Sequence, residues 1–354
     1  MENKLRQSNL EMLRIVSIIM IIACHSIYHN TTLLFDGNIS ANKLLYDIFH
    51  YGGELGVNCF ILISGYFLPT TTFKLKKLIL MILQVYVYFY GCRTATILFT
   101  KAPIDTYDFS SWFFPILQCQ WWFVTAYLLV YTISPFLQKL ILAMNKKEFE
   151  ILICSQLFIW CVFPTVFLSF VGKPTASMEF YSRYIFMILF IFIGAYIRIY
   201  GFSVFSTVLK SLSVFAGTAV LLFSYILLTE IFFHDTDSAV RFFDNNSLFQ
   251  VILSLSLFCF FKDLHIGYHP RINRIATCVF GIYLLHEGPF KWNIWHKVFV
   301  FTGLENNNLL FPRIICAVVV LMFAGIIIEF CRQPFEKYIS NTLDKIFLKT
   351  KSKT

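Results

Sequence analysis

Ten long apolar runs divide this sequence, and each has about the length that a helix needs to cross a lipid bilayer. They fall near residues 10–29, 48–68, 76–99, 120–142, 149–171, 182–200, 204–232, 247–262, 275–300 and 309–331. Only 14% of the 354 residues are charged, whereas a soluble domain carries about a quarter. Because a backbone in lipid must satisfy its own hydrogen bonds, the runs predict an all-α, polytopic membrane protein with about ten transmembrane helices.

The distribution of lysine and arginine predicts how these spans are oriented. If the N-terminus is cytoplasmic, nineteen of these residues fall in cytoplasmic segments and eight in external ones. This asymmetry indicates that both termini are cytoplasmic. The net charge of +9 is spread over short clusters between spans, which suit anionic lipid and not nucleic acid. We expect one integral-membrane domain over residues 1–354, with a membrane region at about 10–331 and a short basic cytoplasmic tail at 332–354.

The first run contains ionisable residues that a simple membrane anchor does not need. Arg14 and His25 are eleven residues apart, so on a helix they lie within about 20° of one face and about 16 Å apart along the axis. Glu11, three residues before Arg14, shares this stripe. Ionisable groups are costly in lipid, so the stripe predicts a functional site. Simpler interpretations stay open: Arg14 can snorkel to the interface or pair with Glu11 structurally, and a lone histidine is often a packing residue.

The second run ends in VNCFILISGYFL at residues 57–68 and is followed by a basic cluster, Lys74, Lys76 and Lys77. The Ser64-Gly65 step in this run allows close approach of another helix. The lysines can act as a positive-inside stop, and they would also suit the phosphates of a nucleotide-bearing cofactor. The ten cysteines are scattered, with neither a CxxC motif nor zinc-ligand spacing, so no metal site is expected.

The ninth run, at residues 275–300, is the least regular. Gly288 and Pro289 are expected to break the helix just after His286 and Glu287. These two adjacent side chains would point about 100° apart on a helix. His286 has two interpretations, a residue that faces an active cavity or one that packs among aromatic neighbours.

Four motifs, in order and spread over nearly the full chain, resemble those of the membrane-bound acyltransferase-3 family in its stand-alone form. The first motif is Glu11 followed by Arg14 and, after ten further residues, by His25; this pattern resembles the first helix of that family. The sequence ISGYF at residues 63–67 resembles its second-helix signature. QWWFVTAY at residues 120–127 resembles the Trp-containing fourth helix, and GIYLLH at residues 281–286 resembles a late segment.

One motif departs from the family. Many relatives carry an arginine three residues before a glutamate at the end of the last span, where this chain has Glu329 and Arg332 with the two charges exchanged. An exchanged ion pair would preserve structure, so we expect Glu329 and Arg332 to pair and to have a structural role.

The resemblance implies an O-acyltransferase that moves an acyl group, usually acetyl, from acyl-coenzyme A to a hydroxyl of a cell-surface or lipid-linked glycan. It implies a multi-pass protein of the bacterial cytoplasmic membrane, with acetyl-CoA as donor substrate, no nucleic-acid partner, and homodimer formation left open. By motif match, the catalytic residues would be His25, Arg14 and Glu11. The residues that would contact the acyl donor are Lys74, Lys76, Lys77, Ser64, Tyr66 and Trp122. His286 is an additional candidate site residue.

A neutral His25 imidazole would take the proton of the attacking hydroxyl. Arg14, Ser64, Tyr66 and Trp122 are the candidates to stabilise the oxyanion. The sequence leaves open direct transfer or an acyl-histidine intermediate, and acetyl or a longer acyl group. The alternative function is a transporter or flippase of polysaccharide precursors, for which polar residues spread over several helices and repeat symmetry would be expected.

Overall fold

The computed structural model of the chain describes residues 6–30, 40–101, 109–170, 182–233 and 242–351. The described part of the chain contains helices and no strands, which confirms the all-helical prediction. The helices are α1 Ser8–Tyr28, α2 Ala41–Phe67, α3 Leu75–Thr100, α4 Phe109–Phe113, α5 Trp122–Ala143, α6 Lys146–Leu157, α7 Phe163–Phe170, α8 Arg183–Tyr200, α9 Val208–Phe233, α10 Leu248–Asp263, α11 Pro270–Ala276, α12 Val279–His286, α13 Lys291–Asn293 and α14 Leu310–Lys351. A π-helical turn, Phe158–Val162, joins α6 to α7, and another, Ile294–Val298, follows α13.

Seven helical segments in the described residues are long and apolar enough to span a membrane: α1, α3, α5, α6 with most of α7, α8, α9 and α14. The chain is therefore a multi-pass membrane protein, while the count of about ten spans stays a prediction. The other three apolar runs are helical but differ from these seven segments in polarity, length or continuity. α2 has 27 residues and is polar in its first half, α10 has 16, and the run at 275–300 is divided into short helices.

The break in the run at 275–300 lies where the sequence predicts it. α12 ends at His286, and only Glu287 separates its end from Gly288 and Pro289. A Cβ on Gly288 would lie 2.6 Å from the carbonyl oxygen of Leu284 and 3.1 Å from the ring of Trp121, so the bend is packed tightly. The end of α12 contacts α1 through His286 and His25.

Helix α1 lies at the centre of the bundle and packs against α2, α10, α11, α12 and α14. Leu13, Ile18 and Ile22 are fully buried along it. A helix surrounded by other helices can carry ionisable groups inward, where protein partners replace lipid.

Glycines set the closest helix contacts of α2. A Cβ on Gly65 would overlap the backbone of Ile191 in α8, and one on Gly194 would lie 2.7 Å from the amide nitrogen of Tyr66. The predicted close approach at Ser64-Gly65 is thus confirmed. In the middle of α2, Gly53 packs on the side chain of Cys24 in α1.

Helix α14 runs well past the predicted end of the last span at residue 331. Its 42 residues give a length of about 63 Å, roughly twice the hydrocarbon thickness of a bilayer. The predicted tail at 332–354 is therefore helical as far as Lys351, and its last three residues lie outside the described part. Asp344 in this extension accepts a hydrogen bond from Lys76 at 2.6 Å.

Candidate active site

A cavity of about 820 Å³ lies along α1 from Arg6, just before the helix, to Ile21. Between Glu11 and Ile21 it spans a rise of about 15 Å along the helix axis. Its residues fall into a basic mouth, a polar middle and an apolar deep end. The mouth includes Lys74, Lys76 and Lys77, the middle includes Glu11, Arg14 and Ser64, and the deep end includes Ile21, Val57, Phe123 and Tyr283. The cavity brings together six of the residues that the sequence singles out.

Arg14 lies in the middle of this cavity with one third of its side chain exposed. The Glu11 carboxylate, 3.9 Å from Arg14 Nε, comes from one turn earlier on the same helix. Ser64 in α2 also lines the cavity, and its hydroxyl donates to the carbonyl oxygen of Phe60 at 3.0 Å. The guanidinium is paired loosely and stays available to a bound ligand.

His25 lies four residues beyond Ile21 on α1, past the deep end of the cavity. Its Nδ1 is 3.0 Å from Nε2 of His286 and 3.3 Å from Oε2 of Glu287. Nδ1 of His286 lies 2.7 Å from the carbonyl oxygen of Ile282, an acceptor, so this nitrogen carries the hydrogen and Nε2 of His286 is an acceptor. His25 therefore donates from Nδ1 and keeps a lone pair on Nε2. With 20% of its side chain exposed, His25 is accessible as a base.

Glu287 organises the groups around His25. Its Oε2 accepts a hydrogen bond from Nε2 of His29 at 2.8 Å, and its Oε1 accepts one from Nζ of Lys291 at 2.8 Å. The side chain is only 12% exposed. Sequence reasoning left Glu287, His29 and Lys291 without a role. The spacing of His25 and His29, four residues apart on one face, was the available signal.

Ligand atoms of His25, His29 and Glu287 all lie within 4.8 Å of one another. A divalent cation accepts such a donor set. The ion pair of Glu287 with Lys291 already supplies a positive charge at this carboxylate. The expectation that the protein needs no metal stays a prediction.

Tyr66 and Trp122 are not among the described residues that line the cavity. The Tyr66 hydroxyl accepts a hydrogen bond from Arg198 in α8 at 3.0 Å. Trp122 is the first residue of α5, and the Arg183 guanidinium lies 4.9 Å from the centre of its ring. The predicted contacts of both residues with the donor stay predictions.

The expected pair of Glu329 and Arg332 is confirmed, because Nε and Nη2 of Arg332 donate to the two carboxylate oxygens at 2.9 Å each. Glu329 is fully buried and also accepts hydrogen bonds from Tyr88 at 2.6 Å and Gln84 at 3.1 Å. This pair ties α14 to α3 beside the cavity, and Arg332 contributes to the cavity lining.

A multi-pass helical bundle whose cavity leads from a lysine cluster toward a buried imidazole and carboxylate has the architecture of an integral membrane enzyme. A family model described as an acyltransferase domain, that of the acyltransferase-3 family, matches residues 7–329. The chain belongs to the acyltransferase-3 family and is an acyltransferase. Comparison with curated proteins gave no match, and comparison with solved structures gave none either.

Proposed function

We propose that this chain is an O-acetyltransferase of the bacterial cytoplasmic membrane. It transfers the acetyl group of acetyl-CoA to a hydroxyl of a cell-surface or lipid-linked glycan. The observation that carries this proposal is the cavity that joins Lys74, Lys76 and Lys77 to the region just short of His25.

The basic mouth suits the phosphates of coenzyme A. Lysine ammonium groups bind phosphate as point charges without the fixed geometry of arginine. Arg14 and Ser64 line the path between the mouth and the deep end, so they offer hydrogen bonds to the arm that carries the thioester. The Glu11 carboxylate, 3.9 Å from Arg14 Nε, balances part of its charge.

The chemistry at His25 follows from its hydrogen bonds. Nε2 takes the proton of the acceptor hydroxyl while the hydroxyl oxygen attacks the thioester carbonyl. The carbon–sulfur bond breaks, and the protonated imidazole returns the proton to the departing coenzyme A thiolate. Glu287 stabilises the imidazolium that forms between these two transfers. The products are an acetyl ester and coenzyme A.

The two ends of this path are proposed to lie toward opposite sides of the membrane. The positive-inside rule assigns the lysine mouth to the cytoplasm, where acyl-CoA is made. His25 is about 16 Å further along α1 than Arg14, in the other half of the bilayer. The acetyl group therefore crosses part of the membrane inside the protein before it is transferred.

The test is His25→Ala in cells, read by mass spectrometry of surface glycans. Acetyl esters should disappear while the amount of exported glycan stays unchanged. His265→Ala is the matched control, because His265 is exposed and lies outside the helices. Loss of export with acetylation intact would overturn the proposal in favour of a transporter.

A further inference from the structure

Glu54, in the middle of α2, is a buried carboxylate with an unsatisfied oxygen. The residue is 8% exposed, and no partner for its Oε2 is found among the described residues. Its Oε1 lies 3.7 Å from Nη2 of Arg183, which is too long for a hydrogen bond. Buried polar atoms in proteins are nearly always hydrogen-bonded, so this oxygen is placed to meet a donor on a ligand.

Arg183 and Trp122 complete a group of three side chains from three helices. Arg183 begins α8 and is 40% exposed, so its guanidinium has donors to spare. The guanidinium lies over the indole of Trp122, which begins α5. The group therefore combines an acceptor, a set of donors and an aromatic ring.

This group lies beside the His25 cluster and not at the lysine mouth. Gly53 and Cys24, the residues just before Glu54 and His25, pack directly on each other. Tyr283 lines the deep end of the cavity. Its ring is also 5.8 Å from that of His286 and 5.8 Å from that of Phe123, the residue next to Trp122. Tyr283 thus connects the group to the base.

We propose that Glu54, Arg183 and Trp122 form the acceptor subsite and bind a neutral sugar ring; the inference rests on the proposed function. Sugar hydroxyls both donate and accept, so they match the free Glu54 oxygen and the Arg183 guanidinium. The apolar C–H face of a pyranose packs on an aromatic ring such as Trp122. The charges of Glu54 and Arg183 balance, which favours a sugar without its own charge.

The polar surface continues beyond Glu54. His50, one helical turn earlier on the same face of α2, is 8% exposed, and neither of its ring nitrogens has a partner among the described residues. A neutral imidazole has one donor and one acceptor, and two hydroxyl groups of a sugar can pair with them. The subsite therefore extends along α2 toward a second sugar unit.

The test uses the full chain in lipid nanodiscs with acetyl-CoA and with unacetylated glycan prepared from cells that lack this chain. Glu54→Gln should raise the KM for the glycan at least tenfold and leave the KM for acetyl-CoA within twofold. Arg183→Gln should have the same selective effect, and its exposure makes it a variant that folds. Glu305→Gln, a carboxylate on a loop away from the site, is the control.

An unchanged glycan KM in both variants would overturn the inference, and so would a raised KM for acetyl-CoA. The proposed function is judged separately by His25→Ala in the same assay. If His25→Ala abolishes transfer while both Glu54→Gln and Arg183→Gln behave like the wild type, the acceptor subsite alone is wrong. If His25→Ala still transfers acetyl groups, the proposed function itself fails.

Discussion

Glu287→Gln removes the negative charge beside His25 and keeps the shape of the side chain. Two unit charges 3.3 Å apart, the distance from Glu287 Oε2 to His25 Nδ1, interact by about 5 kcal/mol at an effective dielectric constant of about 20. Lys291, 2.8 Å from the other oxygen, offsets part of this charge. We therefore expect a loss of about 2.5 kcal/mol of imidazolium stabilisation, which lowers kcat roughly 70-fold.

Glu287→Gln removes the charge beside His25 without changing the tautomer of the His25 ring. His286 still accepts the hydrogen bond from Nδ1 of His25, so Nε2 keeps its lone pair when Glu287 is replaced. The cavity proposed to hold acetyl-CoA ends before this cluster, so the KM for acetyl-CoA should stay within about twofold. A fall in kcat without a change in KM is the signature of an interaction made in the transition state.

The assay measures release of the coenzyme A thiol by the chain in nanodiscs with saturating acetyl-CoA and glycan. Glu305→Gln controls for the loss of one carboxylate elsewhere in the chain. The thermal unfolding temperature of each variant checks that the bundle is intact. A kcat for Glu287→Gln within threefold of the wild type, in a folded protein, would refute the role of Glu287.

Two further predictions concern the helix contact of α2 and the cavity mouth. Gly65→Val should lower the free energy of unfolding by about 2 kcal/mol, because the new side chain overlaps the backbone of Ile191. The measurement is the melting temperature, which should fall. Gly217 has open space around it, so the control Gly217→Ala should not lower the melting temperature. Asp344→Asn should lower the KM for acetyl-CoA by about two- to fivefold at low salt, because it frees Lys76 from its ion pair. The difference in KM from the wild type should vanish at high salt. A raised KM would contradict the role of Lys76.

The sequence predicts well those features that depend on one helix. The shared face of Glu11, Arg14 and His25 follows from helix geometry, and the break after His286 follows from the Gly-Pro step. The close contact at Gly65 follows from the rule that small residues permit close packing. Each of these depends on local spacing, and the structure agrees with the helix, the break and the contact.

The residues that sequence reasoning missed depend on how distant helices dock. Glu287 and His29 are 258 positions apart in the chain, and they meet because α12 packs against α1. The contact of Tyr66 with Arg198 likewise depends on the packing of α8 against α2. Motif resemblance places a residue in a family pattern, but it does not specify which neighbouring helix supplies its partner.

The carboxylates inside this bundle differ in how completely they are satisfied, and that difference indicates where a ligand binds. Glu329 receives hydrogen bonds from Gln84, Tyr88 and Arg332, and it is held in the structure by them. Glu287 lies against His25, His29 and Lys291, so protein groups meet both of its oxygens. Glu54 has a single distant ion pair and a buried oxygen that no described residue meets. Because a buried carboxylate oxygen without a hydrogen bond is costly, we propose that hydroxyls of the acceptor sugar supply its missing donor.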